Sequence, residues 1–118
     1  MACIEDSFES VMTVDGAIAA ALIDSTSGFV LYRSGEFDTD TTGADSTELV
    51  RANLDTMKAL DVKDAVEDIL ITMGQRYHII RPLTRSPDLF LHLVLDKARS
   101  NLAMARRSTA NVEVDMFA

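Results

Sequence analysis

The chain holds one cysteine, two prolines and no tryptophan in 118 residues. A single thiol, Cys3, excludes an internal disulfide framework and fits a reducing compartment. No Pro-rich, repetitive or low-complexity stretch divides the sequence, so one domain is expected over 1–107, with an acidic tail over 108–118. Long apolar runs are missing too. Stretches such as Ala17 to Ile23 are far too short to cross a bilayer. The amino end carries Glu5, Asp6 and Glu9 where a secretory leader would carry basic residues, so a cytoplasmic location is expected. Cations are scarce: 11 Lys and Arg against 19 Asp and Glu leave a formal charge of −8. Such a chain repels nucleic-acid phosphates and anionic lipid heads unless its cations cluster. The local excess of Lys97, Arg99, Arg106 and Arg107 reads as the solvated face and carboxyl end of a last helix. Neither nucleic-acid binding nor membrane insertion is expected.

What is present is an ordinary globular mixture, 47% apolar and 25% charged, laid out in readable periods. Ile4, Phe8, Val11 and Met12 share one helical face before Asp15-Gly16 breaks the pattern. Ala17 to Asp24 and Phe29 to Arg33 read as strands, joined by "DSTSG" with Gly28 free to take a positive φ. The first strand is apolar on both alternating sets, so both of its faces are expected to be covered, closely because of its alanines. "SGEFDTDTTGADS" reads as a solvated loop, and Asp45 with Glu48 as a capping box for a helix from about 46 to 60. Leu49, Val50, Leu54, Met57 and Leu60 form the apolar arc of that helix. Arg51 and Asp55 stand one turn apart on the other side, able to pair. Strands are expected over about 66–73, 76–83 and 89–95, with Gly74-Gln75 turning the first pair and "TRSP" the second. Asp96 is expected to cap a last helix through about 107, with Ala98, Leu102 and Ala105 inward. The order is α-β-β-α-β-β-β-α, an α+β antiparallel sheet with helices packed on it.

The stretch that looks most like chemistry is "GQRYHIIRPL", which crowds Arg76, Tyr77, His78 and Arg81 together. A strand splits that cluster. Tyr77, Ile79 and Arg81 take one face, and Arg76, His78 and Ile80 the other. Closing the next hairpin at "TRSP" brings His78 near His92, within one register step. Two histidines are half of a metal site. With Cys3 on another element, further ligands would have to be carboxylates, and a hydrogen-bonded pair is the simpler reading. Asp38, Asp40, Thr42 and Gly43 imitate the start of a calcium loop, but Leu49 stands where the bidentate Glu is required. No nucleophile elbow, Cys–His pairing or phosphate-cradling Gly-rich loop occurs, so neither a catalytic site nor a cofactor is expected.

Surfaces for another protein are easier to find. Ala52, Thr56 and Ala59 form a shoulder of small residues on the middle helix, fit for a close helix or for this chain's own sheet. Ile69, Ile71 and Met73 alternate with Asp68, Leu70 and Thr72, with no proline or bulge to blunt an edge. Together these nine residues make up the expected dimer interface.

"VDGAIAAALID", "EDILITMGQRYHIIRPL" and "LFLHLVLDKARSNLAMAR", with the order of elements between them, resemble the Roadblock / dynein light chain family over nearly the whole chain. The resemblance implies a profilin-like or longin-like fold, a five-stranded antiparallel sheet with helices on both faces and the third strand at an edge. It implies homodimers or heterodimers with a paralogue, and a non-enzymatic role as scaffold or regulator of small Ras-like GTPases, of a bacterial stand-alone kind. It also implies that the GTPase sits on paired middle helices, which here would offer Glu48, Arg51, Ala52, Asp55, Lys58 and Ala59. The alternative is a structural adaptor without nucleotide dependence. A small-ligand sensor is disfavoured, since helices are expected to fill both sheet faces.

Overall fold

The computed structural model describes residues 4–36 and 39–116, with the backbone alone over 39–45. Cys3, Asp38 and Phe117 lie outside the described residues, as do the side chains of Asp40, Thr42 and Asp45. The elements run α1 (Ile4–Met12), β1 (Ala17–Asp24), β2 (Val30–Gly35), α2 (Thr39–Ala59), β3 (Ile69–Thr72), β4 (Arg76–Pro82), β5 (Leu89–Asp96) and α3 (Leu102–Met116). This is the expected order. The sheet is antiparallel throughout, in the order β2-β1-β5-β4-β3, with β3 at one edge as the resemblance implied.

The alternation in the strands divides the core in two. Ala20, Leu22, Ile79, Leu91, Leu93 and Leu95 face α1 and α3 and meet Phe8, Val11, Ala105 and Val112. Ala19, Ala21, Ile23, Ile80, Phe90 and Val94 face α2 and meet Val50. Each central strand is thus apolar on both faces because both faces are covered. The alanines of β1 allow α2 to settle close to the sheet.

Gly35 marks the tightest approach. Its φ is +80°, and a Cβ there would lie 2.2 Å from the Ile18 carbonyl oxygen. Gly28, in the β1–β2 turn, has the expected positive φ of 77°. Gly74 does not need to be glycine: it is not among the positive-φ glycines, and a Cβ would meet nothing within 4 Å. The turn it was expected to enable is closed by the Met73 amide donating to the Arg76 carbonyl at 2.9 Å.

The boundaries of three elements, α2, α3 and β3, differ from expectation. The middle helix starts at Thr39, so the presumed loop is largely helical and Asp45 lies inside the helix rather than capping it. Carboxylates near a helix amino end are favoured by the peptide dipoles, and Gly43 weakens the helix by only about 1 kcal/mol relative to Ala. At the other end of the chain, Asp96 caps only a short turn, accepting from the Ala98 amide at 3.1 Å. Asn101 is the true cap of α3, accepting from the Met104 amide at 3.2 Å. α3 then continues to Met116, through the segment expected as a tail. The reason is Glu113, which turns inward. Its Oε1 accepts from the Thr84 and Arg85 amides at 2.6 and 3.2 Å, and its Oε2 lies 3.4 Å from Arg81 Nε. Finally, β3 is shorter than expected, because Asp68 is drawn off the ladder to Arg106.

Candidate interaction surface

His78 and His92 lie beneath α2. β4 and β5 pair His78 with Val94 and Ile80 with His92, two residues from the expected facing pair, so the two rings share a face as diagonal neighbours. His78 Nδ1 and His92 Nε2 are 2.8 Å apart, and His92 Nδ1 is 2.7 Å from Ser46 Oγ on α2. Burial, and secondarily the neighbouring His78, pushes the His92 imidazole down to about 3. Burial, and secondarily Arg76, lowers His78 as well. Both rings are therefore neutral at pH 7. Each then has one N–H and one bare nitrogen, so protons running in either direction fill both gaps. The facing nitrogens are spent on each other. Among the described residues no group of three or more His, Cys, Asp or Glu could hold a metal ion. The Ser–His order imitates a nucleophile and its base, but Ser46 is buried under its own helix, where no substrate can reach it. The chain of bonds fastens α2 to the sheet.

The inward face of α2 is Ser46, Thr47 and Val50, with Asn53 and Met57 half-buried. That corrects the expected arc. Leu49, Leu54 and Leu60 are 38%, 37% and 66% exposed. A buried histidine requires a polar partner at Ser46, and this turns the helix so that its leucines point sideways. The six platform residues, Glu48, Arg51, Ala52, Asp55, Lys58 and Ala59, are all exposed, and so is Thr56. Arg51 reaches off its helix and donates to the Thr26 carbonyl in the β1–β2 turn. There Asp24 is held below its ordinary value, first by hydrogen bonds from Thr26 and last by the Arg51 charge.

On β3, Ile69 and Ile71 turn toward α2, while Leu70 and Thr72 point to the opposite face and are exposed. Asp68 and Met73 flank the strand. The Asp68 carboxylate, expected at a partner, is taken by Arg106 of its own chain through bonds of 2.8 and 2.9 Å. Since Met73 bonds to Arg76, the alternation of an antiparallel ladder turns the Leu70 and Thr72 amides outward. Leu49, Leu54 and Leu60 were expected in the core and lie at the surface; Asn53, half-buried beside them, was assigned to neither face.

A sheet with β3 at its edge and helices on both faces is an α+β arrangement, and the solved structures it matches give it the Roadblock/LC7 fold. Among solved structures, a Roadblock/LC7 domain from Streptomyces avermitilis matches at 14% identity and a TM-score of 0.78, over 91% of this chain and 88% of that one. Myxococcus xanthus MglB matches at 12% and 0.78, over 94% and 85%. An MglB with a tetrameric arrangement matches at 18% and 0.73, over 96% and 84%. No family model and no curated protein matches the chain.

Proposed function

We propose that the protein is a dimeric, non-enzymatic interaction module that binds a small Ras-like GTPase and regulates or scaffolds it. The observation that carries the reading is the adjacency of two surfaces. The β3 edge has outward amides to pair with a second copy or a paralogue, and the exposed face of α2 lies on the same layer as Ile69 and Ile71. Pairing through Asp68, Ile69, Leu70, Ile71, Thr72 and Met73 would bring two α2 helices together at Ala52, Thr56 and Ala59. It would form one platform from Glu48, Arg51, Ala52, Asp55, Lys58 and Ala59. The resemblance to the Roadblock family and the fold shared with MglB support the choice of partner. No helix of the described residues is long and apolar enough to cross a membrane, and the proposed setting is the bacterial cytoplasm.

Any effect on GTP hydrolysis would come from ordering the GTPase's switch segments rather than from an arginine finger. Arg51, the platform's arginine, is already engaged at Thr26. Arg51→Ala should weaken GTPase association by no more than about tenfold, read by biolayer interferometry; unchanged affinity removes the residue from the interface. The reading itself is tested by affinity capture in parallel with a non-hydrolysable GTP analogue and with GDP. Enrichment of a Ras-like GTPase in one nucleotide state is expected. Equal capture in both states would favour a nucleotide-independent adaptor, and absence from both would overturn the partner.

A further inference from the structure

Where the β3–β4 turn meets the start of β1 and the end of β5, the sheet ends in an open groove of about 730 Å³. Ordinary ligand sites hold roughly 300–1,000 Å³. Ile18 and Tyr77 supply its apolar floor, and Arg76 and Lys97 its cations. Both halves of the core reach the surface here, Ile18 from the α2 layer and Tyr77 from the α1–α3 layer.

Two features of the groove have no use inside the chain. The first is its charge. With 19 Asp and Glu against 11 Lys and Arg, a cation of this protein has many carboxylates within reach, and Lys63, Arg81 and Arg106 each take one. Arg76 and Lys97 form no ion pair among the described residues. Asp96, the carboxylate of the groove, stands opposite Arg76 in the ladder, yet its Oδ1 accepts from the Ala98 amide at 3.1 Å. Lys97 Nζ lies over the Tyr77 ring, 5.8 Å from its centre, and makes only a long bond of 3.4 Å to the Met73 carbonyl. The second feature is Gly74, which lines the groove although neither φ nor space requires a glycine there. A bare backbone at such a place lets the main chain of a ligand lie directly against it.

We propose that this groove binds a short acidic peptide segment of a partner protein. The register selects that class of ligand. Arg76 shares the α2 face of the sheet with His78, whereas Lys97 stands over Tyr77 on the opposite face. Two cations so divided do not close on one small anion as a fork does. They meet separate carboxylates, with an aliphatic side chain between them on Ile18 and Tyr77 and the peptide backbone across Gly74. The segment is short because the net charge of −8 repels long polyanions and anionic membranes at a distance, while one or two acids are attracted once they touch the local cations.

The groove is built within one chain, so its test stands apart from the dimer proposed above. The full isotope-labelled chain is titrated with acetyl-Glu-Leu-Glu-amide and followed by amide NMR, with acetyl-Gln-Leu-Gln-amide and inorganic phosphate as controls at matched ionic strength. Shifts centred on Gly74, Gln75, Lys97 and Ala98 are expected with the acidic peptide and not with the glutamine peptide. Arg76→Gln and Lys97→Gln should each weaken binding by up to about fivefold, and the double variant by about tenfold or more. Gly74→Leu has open space for its side chain and should stay folded by its own spectrum while losing the shifts. The shifts should persist in Leu70→Pro, and their loss there would overturn a site within one chain. Phosphate moving the same amides as strongly overturns the peptide in favour of a small-anion site. Unchanged binding by folded Gly74→Leu overturns the role of the glycine. No shifts, or shifts spread over the other surface cations, overturn the site.

Discussion

Acid should loosen α2 through His92. In an unfolded chain an imidazole takes up its proton near pH ~6.5, whereas the folded ring resists it down to about 3. Between those values the unfolded state binds more protons. Stability is therefore complete above about 6.5 and declines as the pH falls toward 3. Each pH unit in that window is worth about 1.4 kcal/mol per proton, so going from pH 7 to pH 4.5 removes about 2.5 kcal/mol through this ring alone. His78, lowered in the same direction, adds to the loss. For a domain held by roughly 5–15 kcal/mol this is a large fraction. The assay is urea unfolding followed by circular dichroism at both pH values, in the parent and in His92→Asn. The asparagine can still bond Ser46 but has nothing to titrate. It gives up the His78 contact and should begin about 1–3 kcal/mol less stable at pH 7. Its further loss on acidification should be smaller than the parent's by about 2.5 kcal/mol. Parallel losses in the two proteins would refute the reasoning that His92 is held neutral by its burial.

Gly35→Ala should fail to accumulate as folded protein or lose about 3 kcal/mol or more, because its Cβ would enter the Ile18 carbonyl at 2.2 Å; thermal melting checks it. Gly74→Ala should be neutral or stabilising by up to about 1 kcal/mol in the same assay, since the turn has room and an ordinary φ. Glu113→Ala should cost about 3 kcal/mol by urea unfolding, leaving the Thr84 and Arg85 amides and the Arg81 charge without their acceptor.

The strands were the most legible part of the sequence. A period of two fixed the faces of β4 and β5, and with them the meeting of His78 and His92, whatever the register step. What misled was composition. Thr, Asp and Gly over 39–45 read as loop, yet nothing there breaks a helix outright. The segment after Ser108 read as an acidic tail, because a single sequence does not reveal that Glu113 turns inward to the β4–β5 turn. The rotation of α2 was misjudged for a related reason. Its leucines look like core residues, whereas Ser46 docks inward because a buried imidazole lies beneath it, a contact between residues far apart in the chain. The β3 edge could be suspected from its unbroken alternation, but only the sheet order leaves it unpaired.

Light scattering on Leu70→Pro tests the pairing of two β3 edges most directly. The Leu70 amide points away from β4, so the proline removes no bond within the chain while blocking a strand laid against the edge. The parent should weigh about twice the 12.9 kDa chain, and the variant, folded by circular dichroism, should weigh one. A folded variant that still weighs two chains would contradict the β3 edge as the meeting place, and with it the two-helix platform.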